Sequence, residues 1–177
     1  ESGAGAIIHE KGYVIGAAHA TSNALIHRVI FGDGSKTGFQ VVAKAWDYDT
    51  AIVRIYGDKK FKVARIAPMK DVRENDRIFM IGNPGGKAHT FHHGKAVGMD
   101  IEELRQAGRF GVTGVDINRG DSGGGTFNTR GEYVGMVQLK FLNSDISGAI
   151  LGLDRLRIGF DKVLQDEKRR DYKVGIA

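Results

Sequence analysis

Cysteine is absent from the 177 residues, which excludes disulfides, a thiol nucleophile and any cysteine metal site. That absence does not by itself fix a compartment. Proline occurs only twice against 26 glycines, a balance that suits many tight turns between short strands. No apolar run approaches the length needed to span a bilayer, no secretory leader is visible, and no internal repeat recurs. The chain opens at Glu1, a few residues before a strand-like run, so it is expected to be an excised or processed domain. Its compartment is left unknown.

What is present is a 41% hydrophobic share, enough for a core, and a net charge of +5 with a pI near 9.5. Such a length fits one domain of ordinary size, or two small barrels sharing an interface. The basic balance raises nucleic acid or an acidic surface as a partner. Yet the basic residues are scattered, and Lys168-Arg169-Arg170 is offset by Asp166, Glu167 and Asp171. Aromatic stacking platforms interleaved with Lys and Arg are not evident, which disfavours nucleic acid as the main partner and leaves only a secondary basic patch. His89, His92 and His93 cluster in sequence, but with no carboxylate before Asp100 they are a weak ligand set, and no metal is assigned.

The densest chemical signal is Gly120-Asp121-Ser122-Gly123-Gly124. It sets a hydroxyl in a tight glycine turn directly behind an acid, with room for a substrate to approach. A serine becomes a nucleophile only when a base takes its proton and an oxyanion is stabilised. A base stands in Tyr13-Val14-Ile15-Gly16-Ala17-Ala18-His19-Ala20, an apolar strand-like run ending in a cramped turn with an imidazole at its tip. A carboxylate opens Asp49-Thr50-Ala51-Ile52-Val53-Arg54-Ile55, abutting a run that must be largely buried and so needing a partner. A histidine N–H is a suitable one. Asp47, two residues earlier, is a decoy of the same type.

Along the chain the order is His, Asp, Ser, that of chymotrypsin among the convergent triads. In these motifs the chain resembles the trypsin/chymotrypsin-like serine proteases, and within them the HtrA-type branch and short microbial or viral relatives. Gly3-Ala4-Gly5-Ala6-Ile7-Ile8 and Ile81-Gly82-Asn83-Pro84-Gly85-Gly86 extend the resemblance, as does Gly131-Glu132-Tyr133-Val134-Gly135-Met136, over about residues 3–160. The resemblance implies a serine endopeptidase acting on polypeptide, with His19, Asp49 and Ser122 as the triad and no cofactor. It implies an oxyanion hole in the segment Gly120, Asp121 and Ser122, from the N–H groups of Gly120 and Ser122. An inactive protease-fold binding module is the alternative from another class.

The implied fold is all-β: two packed antiparallel β-barrels of the six-stranded type, chymotrypsin-like, with a short C-terminal helix. The N-terminal barrel is expected over 1–66, carrying His19 and Asp49, and the C-terminal barrel over 77–177, carrying Ser122. Strands are predicted at 4–9, 13–17, 24–31, 38–46, 51–56, 77–81, 91–99, 110–115, 124–128, 133–142 and 148–153. The stretch 66–76, with Pro68, reads as the linker, and 156–170 as a terminal helix with Phe160, Val163 and Leu164 on one face.

Two acids remain. Asp121 is expected to find an internal partner, either backbone N–H groups or a basic side chain such as Arg119, because a buried lone carboxylate is costly. Asp116 lies six residues before Ser122, and with Ile117 it falls where trypsin-like relatives build the primary specificity pocket. An acid there would favour cleavage after Lys or Arg. Otherwise Asp116 turns away to cap a loop or bond Arg119.

Overall fold

The computed structural model describes residues 3–21, 27–157, 161 and 165. Strands β1 (Gly5–His9), β2 (Tyr13–Ala17), β3 (Arg28–Ile30), β4 (Lys36–Ala45) and β5 (Thr50–Ile55) form one antiparallel sheet in the order β1-β2-β5-β4-β3. Strands β6 (Arg77–Gly82), β7 (Thr90–Val97), β8 (Arg109–Thr113), β9 (Gly125–Phe127), β10 (Tyr133–Lys140) and β11 (Gly148–Gly152) close into a six-stranded antiparallel barrel, in the order β10-β11-β8-β7-β6-β9. The second barrel is thus the one expected. Among the described residues the first departs from six strands: it has five, with β1 and β3 as its edges and no bonds between them.

The central strands of the first sheet read as continuous apolar runs because both faces are covered. Tyr13, Ile15 and Ile52 turn towards the barrel and share a core with Tyr133, Met136, Leu151, Leu153 and Leu156. Val14, Val53 and Ile55 turn the other way, onto Val29, Phe31, Phe39 and Phe61. A third core fills the closed barrel, built on Ile78, Met80, Phe110, Val112, Val134 and Ile150. The shared core fixes how the two sheets sit against each other, and so where their loops meet.

The stretch 66–76 is no free linker. Ile66 bridges Tyr133, Ala67 N–H donates to the Tyr133 carbonyl at 2.9 Å, and Ala67 and Val72 are buried in the barrel core. A short helix α1 (Glu102–Gln106), not anticipated, links β7 to β8. The C-terminal helix begins at 153–157, three residues earlier than predicted, with Leu153 and Leu156 facing the shared core. Phe160, Val163 and Leu164 lie outside the described residues. Likewise the predicted strand start at 24 lies outside the described residues, and β3 is described over Arg28–Ile30.

Candidate active site

His19 sits in a single 3-10 turn, His19–Thr21, immediately after β2. Asp49 sits at the mouth of β5 in a left-handed conformation, φ 47° and ψ 45°, closing the 3-10 turn Trp46–Tyr48. Few residues without Gly's freedom adopt that backbone, and Asp is among them. The reversal turns the carboxylate back towards β2. One oxygen, Oδ1, accepts from the His19 backbone N–H at 2.9 Å, and Oδ2 meets His19 Nδ1 at 2.6 Å. The Ala18 N–H donates to the Asp49 carbonyl at 3.0 Å. One carboxylate therefore fixes both the backbone and the ring of His19. Because a carboxylate accepts, this contact calls for a proton on Nδ1. Asp47 is exposed on the same turn and is not the acid that meets the imidazole.

The serine turn belongs to the barrel but is docked on the first sheet. Its carbonyl at Ser122 accepts from Ala4 N–H at 3.1 Å. Gly123 has φ +87°, and a Cβ there would meet Ala17 N at 2.7 Å and Gly16 Cα at 3.1 Å. So the backbone beside Ser122 lies against the end of β2, two residues before His19. Gly123 N–H and Val137 carbonyl pair at 2.9 Å, and Val137 N–H with the Gly124 carbonyl at 3.0 Å, which pins the same turn to β10. Further along β10, Gln138 is buried, accepts from Arg109 Nε at 2.7 Å and donates from Nε2 to the Tyr48 carbonyl. Gln138 ties the barrel to the residue before Asp49. Nothing in the sequence marks it out from other glutamines.

The Gly-Asn-Pro turn after β6 acts as a seat for the acid and glycine before Ser122. Gly82 leaves the space the Asp121 carboxylate occupies, where any Cβ would run into it. Gly120, at φ +102°, packs on the Asn83 carbonyl, and Gly85 N–H bonds the Arg119 carbonyl at 3.0 Å. Asp121 is 2% exposed. Its N–H donates to the Asn118 carbonyl at 3.0 Å, and its Oδ2 accepts from Asn118 N–H at 2.8 Å. The Asp121 N–H is thereby occupied, leaving Gly120 and Ser122 as the donors to consider for an oxyanion. Asp121 Oδ1 faces His92 Nε2 at 3.6 Å. One carboxylate oxygen is thus held by a backbone N–H, and the side chain facing the other is His92 rather than Arg119, which is exposed.

Asp116 departs from the arrangement expected of a pocket acid. Its side chain is 78% exposed, and its carboxylate holds Lys140 Nζ at 3.2 Å and accepts from Asn118 Nδ2 at 2.8 Å. The Asn118 amide first, and then Lys140, hold its carboxyl below the usual value. An acid attracts a substrate cation strongly only when desolvated and unpaired, and this one is neither. Ile117 points inward instead, 3% exposed in the barrel core beneath Gly148. The three histidines are not gathered: His92 faces into the barrel end, while His93 is exposed on the opposite side of β7 and His89 is exposed ahead of it. Among the described residues no group of three or more His, Asp or Glu is placed to hold a metal ion.

The trypsin-like peptidase domain profile matches residues 3–136. The chain is 34% identical over 137 residues to the periplasmic serine endoprotease DegP of Salmonella typhimurium, covering 76% of this chain and 29% of that protein. It is 30% identical over 190 residues to the serine protease Do-like HtrA of Bacillus subtilis, covering 99% of this chain and 42% of that one. The chain thus spans less than half the length of these relatives. Its fold superposes on the serine endoprotease from Yersinia pestis with TM-score 0.81 at 23% identity, covering 93% of this chain and 58% of that one. The HtrA-type protease AlgW with decapeptide gives TM-score 0.81 at 24% identity, covering 92% and 51%.

Proposed function

The chain belongs to the trypsin-like peptidase domain family and has its chymotrypsin-like fold, and from that premise we propose that it is a serine endopeptidase of the HtrA-like branch. The observation that carries this reading is the double hold of Asp49 on His19, at 2.9 Å and 2.6 Å, beside a serine turn seated on the same strand end. A carboxylate that merely capped a loop would have no reason to orient an imidazole as well.

In this reading Ser122 Oγ attacks the scissile carbonyl while His19 Nε2 takes its proton. Asp49 holds the tautomer and stabilises the imidazolium that forms. The Gly120 and Ser122 N–H groups stabilise the oxyanion. His19 then protonates the leaving amine, and water enters by the same base to release the acyl group. The two lobes are read as 1–66, bearing the acid and base, and 77–177, bearing the nucleophile, a division supported by the two sheets. No preference for Lys or Arg is assigned, since Asp116 is already neutralised by Lys140. The substrate is read as polypeptide, not nucleic acid.

The test is labelling by a fluorophosphonate, which reacts with an activated serine, together with turnover of casein. Wild type should be labelled, and Ser122→Ala and His19→Ala should not, with losses of about ten-thousand-fold or more in turnover. Wild type left unlabelled would favour the inactive binding module instead.

A further inference from the structure

One pair of buried groups is left over from the site. Among the described residues Asp121 Oδ1 and His92 Nε2 are each buried with no hydrogen-bond partner, and they face each other at 3.6 Å. The other Asp121 oxygen is satisfied by Asn118 N–H at 2.8 Å. A carboxylate that is 2% exposed with one oxygen unpaired is costly, and so is a buried imidazole nitrogen with no partner. The two deficits would cancel against each other. The surroundings are shaped for that meeting. Inward positions on β6 are Ile78, Met80 and Gly82, and on β7 His92, Gly94 and Ala96. Met80 pairs with His92 and Gly82 with Thr90, so the side-chain gap at Gly82 opens beside the imidazole, and Asp121 fills it.

We infer that His92 is the internal counter-charge of Asp121, and through it a positioning residue for the turn Gly120–Gly124. His92 Nε2 offers its N–H to Oδ1, and the acid stays folded under Ser122 instead of reaching for water. Its backbone, bonded to Asn118 on one side and through Gly124 N–H to its own carbonyl at 2.9 Å on the other, then sets the direction of the neighbouring N–H groups. The inference rests on the reading of Ser122 as nucleophile for its catalytic consequence, but not for the pair itself.

The experiment is His92→Gln made in two backgrounds, wild type and Asp121→Asn. Fluorophosphonate labelling rate, kcat and KM on casein peptides, and the thermal unfolding midpoint are read for each. In the wild-type background, labelling and kcat should fall about tenfold with KM little changed, the size of coupling usual for residues in one ion-pair network. In the Asp121→Asn background a neutral amide needs no counter-charge, and His92→Gln should change rate and midpoint by less than about twofold and about 2 °C. Equal losses in both backgrounds, or none in wild type, would overturn the inference. The 15N resonance of His92 Nε2 gives a readout independent of activity. It should shift on Asp121→Asn, and an unmoved signal overturns the pair. Failure of wild type to label refutes the Ser122 reading instead, and the midpoint and the resonance still decide the pair.

Discussion

Gly123→Ala is the sharpest test of how the serine turn is held. Two penalties meet there. The backbone stands at φ +87°, where a residue with a Cβ is strained by about 1–2 kcal/mol. The added carbon would also meet Ala17 N at 2.7 Å and Gly16 Cα at 3.1 Å, and on its third side the Ala4 carbonyl. All three are backbone, so no side chain can swing away, and overpacking of this kind costs about 1–3 kcal/mol. The sum is roughly 2–5 kcal/mol, a large part of the stability of a domain this size. Gly131→Ala is the control: it has a similar φ of +71° but open space around it, so it carries only the strain, about 1–2 kcal/mol. Urea unfolding of both variants isolates the contact term by difference. The displaced strand end carries His19, so labelling of Ser122 should slow further in Gly123→Ala than in Gly131→Ala. If the two variants are equally destabilised, the turn does not press on β2 and the packing argument is wrong.

Two further outcomes follow from single groups. Asp49→Asn keeps an acceptor for the His19 N–H but turns an amide N–H₂ towards Nδ1, so turnover should drop about ten-thousand-fold, the size such a change has in other triads; activity within tenfold of wild type would remove Asp49 from the proposed triad. Tyr133, buried with a hydroxyl that has no partner among the described residues, has its pKa pushed well above the ordinary 10.0 by desolvation. The folded chain therefore keeps a proton the unfolded chain loses, and stability should fall as pH rises above about 10, by up to about 1.4 kcal/mol per pH unit from this group. Urea unfolding between pH 8 and 11 should show that slope reduced in Tyr133→Phe, and an identical slope would refute it.

The residues of the candidate site could be nominated from the sequence because the signals for each are local. A hydroxyl between glycines, an imidazole at a strand tip and an acid opening a buried run each need only a few neighbours to be recognised. Their order along the chain added the rest. Strand positions followed from apolar runs and turn residues, and the all-β class with them. The six-stranded first barrel was implied by the resemblance alone, since strand counts in a pattern say nothing of whether edges meet.

What only the tertiary structure decided are the contacts between distant segments. Asp116 and Lys140 are 24 positions apart, and their pairing removes the isolated acid that position alone suggested. Gln138 reaches the Tyr48 carbonyl from the other sheet, and His92 faces Asp121 because β7 and the serine turn share one end of the barrel. Gly82 reads in sequence as part of a turn, yet its missing side chain is what houses the Asp121 carboxylate. Local pattern can nominate a residue by its chemistry. Whether that residue is left free, paired or buried depends on which strand the fold lays beside it.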